Sequence, residues 1–490
     1  MPKEILVVGA GYGGLSAAAL LQKKGFNVTL LEAHSLIGGC ASYFKRKNFL
    51  FDVGATTFSG VSPSQPVGYL FKELEIQPQL LHLDPGMIIF LNDKTIVRNS
   101  SPEKWIETCE LIFGKQGQRG FWELVYKVSE SNWDFISKNP YFLPNSLHDY
   151  IRILKFSNFR KISLLPYLFF TPKDILKKFK ITSQEFYLFL EEQLLITTQS
   201  LPDKTPFLTA AMGLAYPSEI YYPFGGMSEP AKLILEKFLQ LGGKFFKKEK
   251  VSKIRKKDNK YFIYTEKGLE FLADILVVNL SIWNLREITE GEISKYYLKL
   301  CNKFPRGPAA FIINLVVKSK KNLPTYYFQV HSRSPLPFSE SKSFFVSFSH
   351  KDDLLRTKAG YNVVTISLHT NSETWFSLSK EEYLQKKEQL EKVILKEFID
   401  KFNEFIEIEE NLVYSGTPKT YLDYTLRFKG YVGGIPHSVY PSLLQFPNSK
   451  TPFKGFYQVG DTVFPGQGIP AVVYSAISVV DDISYKYLNF

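Results

Sequence analysis

The spacing of the glycines near the N-terminus constrains the fold of this 490-residue chain more than any other feature. The apolar run at residues 5–8 predicts a strand that is buried on both faces, as in a parallel sheet. Gly9, Gly11 and Gly14 follow it in the pattern G-x-G-x-x-G, and the Ala/Leu-rich segment 15–24 predicts a helix. Because the first N–H groups of such a helix are free to bind phosphate, this order of elements predicts a dinucleotide site.

Each glycine has a separate physical role in such a loop. Gly9 permits the tight turn, Gly11 lets the backbone approach a pyrophosphate, and Gly14 lets the helix pack close to the strand. The next predicted strand, residues 28–32, ends in Glu32, about 20 residues beyond the loop. We expect Glu32 to accept hydrogen bonds from the ribose hydroxyls, which disfavours the 2′-phosphate of NADP.

Two further segments indicate a second approach to the same ligand. Gly38 and Gly39 lie shortly after the second predicted strand, where an ordinary NAD-binding domain continues with another βα unit. Near the C-terminus, residues 455–461 predict a buried strand that ends in Asp461, and a Gly/Pro turn and a helix at 471–480 follow. We expect Asp461 to bond a ribityl hydroxyl and the start of this helix to face a flavin ring.

The chain resembles the FAD-dependent phytoene desaturase and carotenoid isomerase family, whose relatives include bacterial carotenoid desaturases and retinol saturases. The resemblance covers essentially the whole length. The motifs that carry it are GAGYGGLSAA, LLEAHSLIGGCAS, FDVGAT, YYPFGGMSEP, ILVVN and YQVGDTVFPGQGIPAVVYSA.

The resemblance implies that the cofactor is FAD and that its site is built from both ends of the chain. The first glycine loop and Glu32 would hold the ADP half, the second glycine pair would lie near the phosphates, and the backbone of Val251 would meet the adenine. The implied cofactor-binding residues are Gly9, Gly11, Tyr12, Gly13, Gly14, Glu32, Gly38, Gly39, Gly54, Ala55, Val251, Gly460, Asp461, Ile469, Pro470 and Ala471.

Two positions depart from the family pattern. Many relatives carry arginine after the second glycine of the GG pair, and this chain has Cys40 there, so we expect one phosphate contact to be missing. The usual Ser-Gly near the end is Ser475-Ala476. The pattern assigns no catalytic residue, although His437 and Asp423 are candidates if a protein acid or base is needed.

Composition excludes several classes of protein. The three cysteines are far apart, with no spacing typical of metal ligands, so we expect no disulfide scaffold, no metal site and a reducing compartment. The formal charge of +12 permits contact with an anionic surface, or reflects a general excess of lysine. No nucleic-acid-binding motif accompanies this charge, so nucleic acid is not an expected partner. Aromatic residues, at 15%, suit a large apolar ligand tunnel or a Phe-rich core.

The remaining segments predict an α/β fold with a discontinuous Rossmann-like FAD-binding domain at residues 1–80, 220–290 and 450–490. A hairpin at 87–98, strands at 309–318, 343–350 and 361–370, and a helix at 379–402 predict an antiparallel-sheet substrate domain at 81–140 and 291–449. Residues 141–219 predict a helical cap. The helix at 379–402 begins with a capping box at Ser379 and Glu382.

The predicted cap is a candidate for membrane association. Residues 151–159 and 164–170 interleave apolar side chains with Arg152 and Lys155, and more lysines follow. The alternative is an ordinary helical cap with solvated lysines. No apolar run approaches the ~18 residues that span a bilayer, and glycines interrupt the apolar N-terminus, which argues against a signal peptide. We therefore expect a cytoplasmic protein, or one that is peripheral on the cytoplasmic side of a membrane.

These features predict an FAD-dependent oxidoreductase that desaturates, saturates or cis–trans isomerises a carotenoid or related polyene. Hydride exchange with the flavin needs positioning more than a protein acid or base. Quinone or oxygen is a plausible electron acceptor, since no second NAD(P) site is evident. The alternatives are a flavin amine or protoporphyrinogen oxidase, a flavin-dependent sugar mutase, and a non-catalytic escort of prenyl lipids on the same fold, like the GDP-dissociation inhibitors.

Overall fold

The computed structural model describes residues 3–154, 158 and 160–488. The strands are β1 Glu4–Val8, β2 Asn27–Glu32, β3 Tyr43–Arg46, β4 Phe49–Asp52, β5 Leu80–His82, β6 Met87–Leu91, β7 Lys94–Arg98, β8 Tyr221–Pro223, β9 Lys244–Lys247, β10 Val251–Lys257, β11 Lys260–Thr265, β12 Glu270–Ala273, β13 Ile275–Val278, β14 Ala309–Ser319, β15 Tyr327–His331, β16 Ser343–Phe348, β17 Tyr361–Thr370, β18 Ile406–Gly416 and β19 Phe456–Gln458.

The helices connect and cover these strands. The α-helices are α1 Tyr12–Lys23, α2 Pro66–Leu74, α3 Pro102–Phe113, α4 Gln118–Lys138, α5 Leu147–Ile153, α6 Pro172–Lys178, α7 Gln184–Thr198, α8 Phe207–Ala215, α9 Ser228–Gln240, α10 Ile282–Ile288, α11 Gly291–Lys303, α12 Ser372–Phe376, α13 Lys380–Phe402, α14 Pro418–Thr425 and α15 Ile469–Leu488. Short 3₁₀ helices occur at Gly39–Ala41, Arg160–Leu168, Tyr216–Glu219, Phe428–Gly430 and Leu443–Gln445.

A five-stranded parallel sheet joins both ends of the chain, in the order β19-β13-β1-β2-β9. The central strand β1 is buried from Ile5 to Val8, as its uninterrupted apolar run predicts. Helix α1 packs on this sheet through buried small and apolar residues such as Ala18 and Leu21. Because parallel strands end at the same edge, the loops after β1, β2, β13 and β19 meet there, and this is where such sheets bind ligands.

The larger sheet has seven strands in the order β18-β14-β17-β16-β15-β6-β7. The predicted hairpin and the predicted strands after residue 309 are confirmed. Five of the six strand pairs in this sheet are antiparallel, as predicted, and the sixth departs from the prediction because β15 pairs with β6 in parallel. Parallel strands need a long crossover connection, and more than two hundred residues separate β6 from β15. The alternation of apolar residues within each strand does not indicate such a distant partner.

The long helix α13 covers one face of the seven-stranded sheet. Its buried residues recur every four positions at Leu390, Ile394, Phe398 and Phe402, which places them on one helix face. They share a hydrophobic core with sheet residues such as Phe348. The predicted capping box at its start is confirmed.

The helices between residues 102 and 215 form a third layer around an aromatic core. Trp105, Trp122 and Phe189 are buried together there. This core includes residues of α3 and α4, which precede the predicted start of the cap at residue 141. The boundaries of the cap remain a prediction. Within the described ranges, no helix is both long enough and apolar enough to cross a membrane. Residues Lys155, Phe156 and Phe159 of the predicted amphipathic stretch lie outside the described residues.

Candidate functional site

One cavity of about 1230 Å³ lies between the two large sheets and the helical layer. We divide it into a cofactor arm and a second arm. The cofactor arm, lined by Gly11, Glu32, Gly39, Val251 and Asp461 among others, follows the carboxyl edge of the parallel sheet. The second arm runs between the seven-stranded sheet and the helices, and its lining includes Phe142, Leu165, Ile196, Met212 and Phe345.

The glycine loop after β1 forms the floor of the cofactor arm. Gly9 has a φ of +95°, which favours glycine, and its N–H donates to the carbonyl of Leu31 at 2.8 Å. A Cβ at Gly14 would lie 1.9 Å from the Gly9 carbonyl oxygen, so no side chain fits between helix and strand. This is the cradle of backbone that a pyrophosphate requires.

The second glycine pair lies directly against this loop. The N–H of Gly38 donates to the carbonyl of Ala10 at 2.9 Å, and Gly38 forms a parallel bridge with Gly11. The N–H of Ala55 in turn donates to the carbonyl of Cys40 at 3.4 Å. The predicted second backbone approach and the FDVGAT segment are therefore brought to the same place.

Glu32 is held in position from both sides. Its Oε2 accepts from the N–H of Ala10 at 2.7 Å, and its Oε1 accepts from the N–H of His34 at 2.8 Å. Burial raises the pKa of the carboxyl, although these hydrogen bonds oppose the shift. The N–H of Glu249 donates to the Glu32 carbonyl, which brings Val251 to the edge of the same arm.

The C-terminal segment closes the cofactor arm. The N–H of Gly460 donates to Oγ of Ser475 at 3.0 Å, which ties the end of β19 to helix α15. The first turn of α15 borders the cavity, so its free N–H groups and positive dipole end belong to the site. Residues of this turn in the cavity lining are Ile469, Pro470 and Ala471.

Fifteen of the sixteen predicted cofactor-binding residues border the cavity. Gly14 does not; it lies behind the loop, where it permits the close packing of α1 on β1. Their contact with the cofactor remains a prediction. Tyr12 both lines the cavity and links two segments of its wall, because its hydroxyl donates to the carbonyl of Met227 at 2.6 Å.

The FDVGAT and YYPFGGM motifs meet at a buried ion pair that lies outside the cavity. The Asp52 carboxylate lies 2.8 Å from the Arg356 guanidinium and accepts from the N–H of Met227 at 3.0 Å. Tyr222 and the N–H of Gly225 donate to Asp353 beside it. These motif residues hold the walls of the site together.

Two residues of the site were not predicted from the sequence. Asn279, which follows β13, packs against the glycines of both loops, and a Cβ at Gly11 would lie 2.7 Å from its Nδ2. Arg427, which lines the cavity, donates through Nη2 to Asp461 at 2.6 Å and through Nε to the Tyr431 carbonyl at 2.8 Å. No recognised motif surrounds Arg427, so the sequence carries no local signal for it.

Arg427 lies close to the position where the family arginine is absent. Burial raises the pKa of the Cys40 thiol, and the positive charge of Arg427 opposes that shift. Burial by itself would lower the pKa of the Arg427 guanidinium, but the adjacent Asp461 holds this pKa above its ordinary value. A permanent cation from a distant segment therefore lies beside the second glycine turn, although the sequence predicts a missing phosphate contact.

The two acid–base candidates differ in their placement. Asp423 is exposed and does not border the cavity. His437 is buried in the cavity wall against residues 465–468, which we call the PGQG turn. Neither of its ring nitrogens has a hydrogen-bond partner among the described residues. Burial lowers the pKa of His437 to about 4, so the ring is neutral near pH 7.

The fold and the glycine cradle are those of a dinucleotide-binding protein. Residues 12–484 match the family described as flavin containing amine oxidoreductase, and the chain belongs to this family. A redesigned putrescine oxidase has a similar structure, with a TM-score of 0.65 and 12% identity over 99% of both chains. The protein is therefore an FAD-dependent oxidoreductase.

The most similar curated relatives include enzymes named for polyenes. Prolycopene isomerase 2 of an Oncidium hybrid cultivar is 29% identical over 97% of this chain and 82% of its own length. The 1-hydroxycarotenoid 3,4-desaturase of a Flavobacterium is 25% identical over 98% of each chain. The all-trans-retinol 13,14-reductase of Danio rerio is 22% identical over 93% of this chain and 82% of its own length.

The residues present fit FAD. A Cβ at Gly11 or Gly460 would clash with Asn279 and one at Gly14 would clash with Gly9, so glycine at these positions lets the backbone segments of the cradle lie close together. Bound FAD supplies a ring that takes up and returns electrons. Glu32 would bind the ribose hydroxyls, Arg427 would neutralise phosphate charge, and the dipole of α15 would favour negative charge at its start.

Arg427→Leu is expected to weaken FAD binding by roughly 10- to 100-fold, because a charge-assisted hydrogen bond to phosphate is lost. Arg427→Lys should retain most of the affinity, since the charge remains. The dissociation constant is measured by quenching of flavin fluorescence during reconstitution of the apoprotein. The half-exposed Arg286 serves as the control, and Arg286→Leu should bind FAD as the wild type does. Equal affinity of Arg427→Leu and wild type would rule out this role.

His437 is expected to make the protein less stable in acid. Its pKa rises from about 4 when folded to about 6.5 when unfolded, so the unfolded chain binds the extra proton as the pH falls from 6.5 towards 4. The loss at pH 5 relative to pH 7 is about 2 kcal/mol for one such histidine. Urea unfolding at both pH values should show a smaller difference for His437→Gln. An unchanged difference would mean that this ring is not held neutral.

Proposed function

We propose that this FAD-dependent oxidoreductase acts on a carotenoid or related polyene, by desaturation, saturation or cis–trans isomerisation. The observation that carries the proposal is the second arm, a largely apolar cavity that is continuous with the cofactor arm. It meets the cofactor arm at the PGQG turn, where Gln467, Ile469 and Pro470 border the cavity. A long apolar substrate in this arm would lie next to the flavin position.

The side chains of the second arm support an apolar substrate. Phe345 comes from the seven-stranded sheet, Ile196 from α7, Met212 from α8, and Ile136 from α4. Apolar side chains of this kind exclude water and bind hydrocarbon without directional hydrogen bonds. The isomerase, desaturase and reductase relatives, which align along almost all of this chain, support the same class of substrate.

The opening of the second arm supports delivery from a lipid surface. We define the opening as Leu154, Ile162 and Leu165, which border the cavity and yet are 67%, 53% and 49% exposed. Other exposed apolar residues of the same segment are Leu147, Tyr150, Ile151, Phe169 and Phe170. Since a polyene is insoluble in water, we propose that these residues insert into a membrane surface.

Charge near the opening supports an anionic surface. Exposed lysines Lys173, Lys177 and Lys178 lie in α6, whereas Lys161 at the opening is paired with Asp134 at 2.9 Å. Each lysine near an anionic bilayer contributes about 1 kcal/mol of attraction at most, so the patch would favour the cytoplasmic leaflet. The proposal includes quinone or oxygen as electron acceptor when the reaction is a net oxidation.

The activity is tested with purified holoprotein and acyclic carotenoids of defined geometry in lipid vesicles, with the FAD-free apoprotein as the control. We expect a change of chromophore length or of cis–trans pattern that needs bound FAD, detected by chromatography and absorption. A longer chromophore identifies desaturation, a shorter one saturation, and an altered geometry alone identifies isomerisation.

Other outcomes would overturn this function. Bound flavin with turnover of amines or protoporphyrinogen, and none of carotenoids or retinoids, would indicate a flavin amine or protoporphyrinogen oxidase instead. Failure to bind flavin, together with binding of a prenylated protein, would indicate a lipid escort.

Membrane docking is expected to depend on the opening. Ile162→Asp should reduce flotation with phosphatidylcholine/phosphatidylserine vesicles by about tenfold or more, because it replaces inserted apolar surface with charge. Leu111→Asp is the matched control, since Leu111 is 86% exposed and lies outside the cavity lining. Equal flotation of the two variants, or no flotation of the wild type, would contradict the proposed docking.

A further inference from the structure

A group of polar side chains interrupts the apolar wall of the second arm. We call it the polar pocket, and it consists of Glu192, Gln193, Ser341, Ser343 and His369, all of which border the cavity. Glu192 is only 2% exposed and Gln193 only 3%. Carboxyl and amide groups are rarely buried in a hydrocarbon-binding wall, because the loss of hydration must be offset by hydrogen bonds.

Part of the polar pocket is satisfied by the protein itself. Glu192 accepts from the N–H of Lys342 at 2.9 Å and from Oγ of Ser343 at 2.5 Å. Gln329 donates to Oγ of Ser343 at 2.9 Å and accepts from Nε2 of Gln193. These bonds fix the positions of Glu192 and Gln193, which makes the pocket a preorganised site.

Hydrogen-bonding capacity remains on pocket residues that border the cavity. Oε1 of Gln193 and Nε2 of His369 have no hydrogen-bond partner among the described residues. Nδ1 of His369 lies 3.3 Å from Oγ of Ser341. Burial lowers the pKa of His369 to about 4, so its ring is neutral. The pocket thus offers acceptor atoms of Glu192 and Gln193, the hydroxyl of Ser341 and the neutral imidazole of His369.

Helix α7 fixes the distance between the polar pocket and the flavin position. Gln199, at the end of α7, donates to Oε1 of Gln467 in the PGQG turn at 2.9 Å. Glu192 lies seven residues earlier, which is two helical turns on the same face and about 10 Å along the axis. Ile196 lies between them and borders the cavity. A substrate whose reacting part lies beside the PGQG turn would therefore reach the polar pocket by extending along α7.

We propose that the polar pocket binds a neutral hydroxyl group at one end of the polyene substrate, with the reacting bond towards the PGQG turn, about 10 Å or more further along α7. This deepens the proposed function and rests on it. A hydroxyl group donates to Glu192 or Gln193 while it accepts from Ser341 or His369, so it satisfies both sides of the pocket. A hydrocarbon end leaves these groups unpaired, and a carboxylate end would lose its hydration beside the Glu192 carboxyl, whose pKa is itself raised by burial.

The proposal is tested by binding to the holoprotein in detergent micelles, followed by quenching of tryptophan fluorescence, since Trp133 lines the cavity. The probes are an acyclic carotenoid hydrocarbon, its end-hydroxylated analogue and the corresponding terminal acid. We expect the hydroxylated probe to bind roughly tenfold or more tightly than either of the others, because a site built for a hydroxyl rejects analogues that lack it.

Variants assign the preference to the polar pocket. Gln193→Leu and Ser341→Ala should each reduce the ratio of hydroxylated to hydrocarbon affinity at least severalfold. Asn132→Leu changes a polar residue elsewhere in the cavity wall and should leave that ratio unchanged.

The outcomes separate this inference from the proposed function. Equal binding of hydrocarbon and hydroxylated probes by the wild type overturns the hydroxyl preference and leaves the polyene function intact. Failure of all three probes to bind overturns both. A preference that persists in Gln193→Leu and Ser341→Ala overturns the assignment to this pocket.

Discussion

The structure depends on the close approach of three distant backbone segments around the side chain of Asn279. A Cβ at Gly11 would lie 2.7 Å from its Nδ2, and one at Gly13 or Gly460 would lie 2.9 or 2.8 Å from its Oδ1. The absence of side chains at these positions lets the ends of β1, β13 and β19 converge. This contact positions the cofactor arm and the second arm that opens from it.

The electrostatics of the cofactor arm follow from the same convergence. Glu32 and Asp461 are two acids in a site for a polyanion, and an uncompensated arrangement would repel the phosphates. Arg427 binds Asp461 directly and borders the arm from a third segment. In this arrangement Asp461 would be available to ribityl hydroxyl groups, and the Arg427 guanidinium beside the glycine turns would be available to phosphate.

Local patterns in the sequence predict much of the fold and the cofactor arm, because each glycine turn, strand and capping box is defined by residues close in the chain. The predicted helix with Ser379 and Glu382 and the hairpin before Arg98 are confirmed for this reason. Arg427, the parallel pair of β6 and β15, and the polar pocket could not be predicted in the same way. Each depends on segments that meet only after the chain has folded, and no periodicity or spacing encodes such a meeting.

The order of strands in the parallel sheet has a consequence for biosynthesis. The edge strand β19 and the first turn of α15, which complete the cofactor arm, lie hundreds of residues after the N-terminal glycine loop and are translated after it. Until then the glycine loop lacks its C-terminal neighbours in the sheet. The complete cofactor arm therefore forms only when segments from both halves of the chain have met.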